Sequence, residues 1–177
     1  MKSKNLFLSY IIFLTSLNII ANDELTIDLG DKNNECKDIT RETLTERNFS
    51  NNFVGTFNGK KIEYTASLKE KIIYEKDDPN LPMASFFYTE YISKDSDQRP
   101  IIFSFNGGPG SASLWLHMGV LGPKVIKVPS DASDDGSPPY NIIDNKLSPL
   151  SDADLVFIDP IGTGYSRAIG CHEGEEF

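Results

Sequence analysis

Residues 99–123 read RPIIFSFNGGPGSASLWLHMGVLGP, an apolar run that breaks at NGGPG and then resumes as a second apolar run. The first run, IIFSF from Ile101, lacks full alternation and is dominated by large side chains, which predicts a strand covered on both faces. The second predicts a helix over 111–121, halted by Gly122 and Pro123. A further buried-strand pattern, DLVFID, occupies 154–159 after a long Pro/Ser/Asp-rich connection over 124–152. Strand, helix, connection and strand in that order are the grammar of a parallel α/β sheet.

Ahead of this region the pattern is different. KKIEYTAS (60–67), KIIYE (71–75) and ASFFYTEYIS (84–93) are rich in β-branched and aromatic residues, and an Asn-Gly pair and a DDPNLP cluster punctuate them. They predict a small antiparallel meander. Residues 22–50 are polar and charged with little apolar periodicity and read as a leader or linker. Residues 1–21 place Lys2 and Lys4 before an apolar stretch ending in Ala21, the layout of a secretory signal peptide cleaved after Ala21. The competing reading, an uncleaved anchor, is weakened by the short stretch 6–20, which holds Ser9, Thr15, Ser16 and Asn18. The expected organisation is therefore a signal peptide, 1–21, a linker, 22–50, and a folded region, 51–177, in a secreted or periplasmic protein that keeps no stable membrane insertion.

Loss of the two leader lysines would make the net charge of −9 two units more negative. Such a surface repels phosphate backbones, so nucleic acid is not an expected partner. Cys36 and Cys171 lie far apart in the sequence, and an exported chain could bridge them or leave them as thiols. Their spacing is not that of a metal site, and no metal or organic cofactor is expected.

Glycines directly after a buried strand let the backbone approach a ligand and turn its N–H groups toward an anion. A Walker-type phosphate loop would need Gly-Lys-Ser/Thr at the end of the run, where this chain has Gly-Ser-Ala-Ser. Gly108, Gly110 and Ser113 approach the dinucleotide-binding spacing, but Pro109 removes one amide from the cradle. About 20 residues further on, only Asp131 is available for the ribose. An oxyanion hole fits better: a glycine-rich turn after a strand supplies one backbone N–H to a tetrahedral intermediate, and Pro109 stiffens that turn. Asn106 adds a carboxamide donor for a second anionic group.

NGGPGS followed by an apolar helix and LGP, and then DLVFIDPIGTGYS, resembles the serine carboxypeptidase family, and its bacterial branch most closely. The likeness runs from about Asn58 to the end. It implies an α/β-hydrolase fold, with an antiparallel meander leading into a mostly parallel sheet, and removal of residues from peptide C-termini by a Ser, Asp, His triad. It also implies that Asn106 and the Gly107 N–H bind the substrate's terminal carboxylate, that the Gly108 N–H is an oxyanion donor, and that Asp159, Gly162, Gly164, Tyr165 and Ser166 shape the pocket floor. One position departs from the pattern: where studied members carry a glutamate, this chain has Val120.

The triad has no counterpart here. No G-x-S-x-G occurs, and Ser166 follows Asp159 by seven residues, too far for an elbow serine. No aspartate separates Ser166 from His172. His117, flanked by Leu116 and Met118, reads as a packed-core or helix-surface histidine rather than a catalytic base, and His172 belongs to a polar tail. The resemblance places the nucleophile beyond the second motif, so the chain is expected to be an incomplete N-terminal part of such an enzyme, inactive alone. Two other functions stay open: an esterase or acyltransferase on the same scaffold, and a secreted, non-catalytic module that holds carboxylates.

Overall fold

An Asn-Gly pair sets the register of the first two strands. Asn58 and Gly59 both have positive φ, 49° and 78°, as the two-residue hairpin turn that matches strand twist requires. They join β1 (Asn48–Phe57) to β2 (Lys60–Tyr74), with Phe57 opposite Lys60. The computed structural model describes residues 44–95, 98–107, 110–128 and 138–177. The expected signal peptide, Cys36, Gly108 and Pro109 lie outside the described residues.

Two expectations change at this hairpin. The runs 60–67 and 71–75 form one 15-residue strand, because Leu68 and Lys69 continue the pairing with both neighbours and Glu70 continues it with the next strand. The linker expected over 22–50 also gives way to strand at its end, since β1 starts at Asn48. Just before it, the Glu70 N–H donates to the Arg47 carbonyl (2.8 Å), while the Arg47 guanidinium grips the buried Glu70 carboxylate.

Strand β3 (Pro82–Ser93) pairs antiparallel with β2, and β4 (Ile101–Ser104) follows. Between β4 and the next paired strands come a short helix α1 (Leu114–Leu116) and a π-helical turn (His117–Leu121). β5 (Lys124–Ile126) and β6 (Ile142–Asp144) form a separate antiparallel pair. A 3-10 turn, Pro149–Ser151, leads into β7 (Asp154–Ile158), and β8 (Arg167–Ala168) adds to β3. The main sheet has the order β1-β2-β3-β7-β4, so β7 enters between β3 and β4.

The architecture is a sheet-dominated α/β arrangement with little helix. In place of a mostly parallel sheet, one pair among the described strands, β4–β7, is parallel; the other pairs are antiparallel. The start of that pair is pinned by charge. Arg99 donates to Asp154 Oδ1 (3.1 Å) and to the Leu150 carbonyl (2.6 Å), and Asp154 also accepts from the Ser93 amide (3.0 Å).

One face of the sheet holds the core. Phe57, Ile62, Tyr64, Leu150, Leu155 and Phe157 are buried together, with Tyr91, Ile102, Leu116 and Leu121 packed against them. The register puts Ile102 beside Leu155 and Ser104 beside Phe157 on this side. Alternation then sends Ile101, Phe103 and Phe105 to the other side. There they are exposed, Phe103 at 62%. The expectation of a β4 covered on both faces is met on one face among the described residues.

Candidate active site

The glycine loop leaves the carboxyl end of β4. Asn106 is half-buried and Gly107 exposed, and a side chain added at Gly107 would meet nothing within 4 Å. The chain's approach to this point is fixed from the helix side. Asn106 Oδ1 accepts the Leu116 amide at 3.3 Å, one of the first-turn N–H groups that a helix cannot satisfy internally. With its oxygen so committed, the carboxamide has its Nδ2 amide to offer elsewhere.

Ser113, almost fully buried, closes the loop onto the end of β7. Its amide donates to Asp159 Oδ1 (2.8 Å) and its hydroxyl donates to the Ile158 carbonyl. The two sequence motifs are thus joined through the Asp159 carboxylate. Gly164, at φ 52°, makes this possible, because a Cβ there would overlap Asp159 Oδ2.

The rest of the second motif is a compact turn. The Thr163 N–H and hydroxyl both donate to the Pro160 carbonyl (3.0 and 2.8 Å), the Ser166 N–H donates to Thr163, and the Gly162 N–H returns to the Ser166 carbonyl. Ser166 is fully buried. Its hydroxyl donates to the Asp159 carbonyl and accepts from the Phe87 amide, both at 2.8 Å. With both bonds spent on backbone groups, it ties the turn to β3. Tyr165 is exposed, its ring 5.7 Å from that of Phe87.

His117 is half-buried and packs against the core, the first of the two placements its apolar neighbours allow. Its ring stacks on Phe157, with centroids 4.5 Å apart and planes at 19°, and Nε2 lies 2.6 Å from the Tyr91 hydroxyl. Burial holds the imidazole pKa below its ordinary value, against the opposing charge of Asp159. The same cause, desolvation, raises that of Tyr91. Sequence reasoning did not foresee the Tyr91 contact; the signal was an aromatic residue on a strand and a histidine on a helix, whose meeting no spacing reveals.

His172 in the polar tail pairs with Glu176 (2.7 Å), and Cys171 is disulfide-bonded. Among the described residues no three His, Cys, Asp or Glu side chains gather closely enough to hold a metal ion. A cavity of about 460 Å³ beside β2, lined by Leu44, Thr45, Glu46, Lys71, Ile72 and Tyr74, contains no residue of either motif. The loop geometry is therefore the better guide to chemistry.

Comparison with known proteins points the same way. Residues 62–170 match the Peptidase_S10 family, described as serine carboxypeptidase. The pheromone-processing carboxypeptidase KEX1 of Komagataella phaffii is 34% identical over 82 residues, covering 46% of this chain and 12% of that protein. Serine carboxypeptidase-like 36 of Arabidopsis thaliana is 32% identical over 90 residues, covering 49% of this chain and 17% of that protein. The chain thus spans a small part of the length of the curated relatives it matches.

Proposed function

The chain belongs to the serine carboxypeptidase family, and on that premise we propose that it is the N-terminal part of an exported enzyme that hydrolyses C-terminal peptide bonds. The observation that carries this reading is the pairing of an open Gly107 with an Asn106 whose oxygen is held by the Leu116 amide. That arrangement supports a cradle in which the Asn106 Nδ2 amide and the Gly107 N–H receive a terminal carboxylate. Gly108, outside the described residues, supplies the oxyanion N–H.

A serine beyond the second motif attacks the scissile carbonyl, backbone amides hold the oxyanion, its collapse expels the C-terminal residue as a free amine, and water then hydrolyses the acyl-enzyme to free the shortened peptide and the serine. Ser166 is not that serine, since its hydroxyl is buried between two backbone groups. The exposed Ile101, Phe103 and Phe105 support a domain whose sheet continues past β4, because an uncovered apolar strand with an open edge invites aggregation. The peptide substrate, export and a bacterial type of architecture are parts of the same proposal.

The test uses the longer polypeptide. Peptides with a free C-terminal carboxylate should lose their last residue, whereas the same peptides with an amidated terminus should bind poorly. Asn106→Ala should raise KM for the free acids about tenfold, the worth of one hydrogen bond to a charged group. Equal use of acids and amides by the wild-type enzyme would overturn the reading.

Val120 favours a second reading. It is exposed, at 59%, in the π-helical turn, where the resemblance expects a carboxylic acid. A pocket without that acid also suits esters or acyl transfer on the same scaffold. An ester and peptide panel separates the two, and preference for neutral esters would select the second.

A further inference from the structure

Resting on the reading of Asn106 as a carboxylate donor, we propose that His117 is its positioning residue, holding the helical turn that fixes the Asn106 carboxamide. His117 is the residue at which α1 widens into the π-turn. Its N–H donates to the Ser113 carbonyl and its carbonyl accepts from Gly122, five residues on, both at 2.9 Å. Such widened turns are rare and concentrate at functional sites. The preceding amide, that of Leu116, is the one that takes Asn106 Oδ1. Any displacement of the His117 backbone is therefore passed directly to the Asn106 acceptor.

The ring is what holds that backbone. It lies flat on Phe157 of β7 and reaches the Tyr91 hydroxyl of β3, while Tyr91 in turn packs edge-on against Tyr64 of β2 and against Phe157. The turn is thus bolted to β7 and β3 through one side chain, and Tyr91 carries the contact on to β2. Neutral histidine can accept the tyrosine O–H at Nε2; protonated histidine can only donate there. Protonation reverses that bond and buries a cation. The titratable groups facing the ring are Tyr91 from β3, with Tyr64 behind it, and Asp159 at the end of β7; of these Asp159 alone favours the charged form. Lys124 and Asp144 act on Tyr64 rather than on His117.

The experiment follows the Asn106 side-chain amide and the His117 ring by NMR through a pH titration of the full-length polypeptide, alongside KM for acid and amidated peptides. The Asn106 resonances should move with the His117 midpoint. That movement should vanish in His117→Phe and change its midpoint in Tyr91→Phe, which keeps the ring stack should the first variant fold poorly. Below the midpoint, KM for free acids should rise about tenfold with kcat unchanged, the loss of one hydrogen bond to a charge. Asn106 resonances that stay flat while His117 titrates would overturn the inference. Resonances that follow His117 in an enzyme indifferent to the terminal carboxylate would uphold the positioning and remove the function proposed for Asn106.

Discussion

At the scale of single residues, the second motif is governed by space and by backbone hydrogen bonds. Gly164→Ala would place a methyl group on the Asp159 carboxylate at a positive φ. We expect a loss of about 2 kcal/mol or more in denaturant unfolding, combining backbone strain with a broken Ser113 contact. Ser166→Ala removes the partner of the buried Phe87 amide and of the Asp159 carbonyl. The expected cost is about 1–3 kcal/mol. A serine-directed phosphonate should leave Ser166 unlabelled in the longer polypeptide proposed above, and labelling there would mean that the buried hydroxyl is accessible after all. Neither effect is legible in GTGYS alone, where Ser166 resembles a surface serine as much as a core one.

Among the elements, β4 is the one whose surroundings test the proposed continuation of the sheet. Phe103 stands exposed on the side opposite the core. In the 177-residue chain, Phe103→Ala should change stability by no more than about 0.5 kcal/mol, as surface substitutions do. In a longer polypeptide that covers β4 it should cost about 3–5 kcal/mol. Equal small effects in both would argue against a sheet that continues past this strand. The helix expected over 111–121 shows a different limit. Apolar periodicity locates the turn, yet three residues are α-helical and the next five are π-helical, because the Gly122 N–H bonds the His117 carbonyl five residues back. Strand β1 escaped notice for a simpler reason: Asn48, Ser50, Asn51 and Asn52 lie on an exposed outer strand, where no burial imposes an apolar alternation.

For the molecule as a whole, the consequence to measure is acid sensitivity. Burial depresses the His117 pKa, so the folded state binds this proton less readily than the unfolded chain. Stability from this group is complete above the unfolded value of 6.5 and declines as pH falls through the lower folded value. Glu70, whose pKa is held down first by its hydrogen bond to Arg47, adds a second decline in the same direction below 4.5. Chemical denaturation between pH 8 and pH 4 should show the first slope in the wild type and a flatter one in His117→Phe. An unchanged slope would mean that His117 titrates alike in both states.

The amino-acid sequence by itself determined the places where backbone conformation is chemically constrained: the Asn58-Gly59 turn, the stop after Ile101–Ser104, the glycine loop and the two-motif likeness to serine carboxypeptidases. These are local, since turn chemistry and apolar runs act over a few residues. Tertiary structure alone decided that β7 slides between β3 and β4, that Asp159 spends its carboxylate on Ser113, and that His117 meets Tyr91. Those outcomes depend on contacts between residues 26 to 46 positions apart or more, which packing selects and no short pattern encodes.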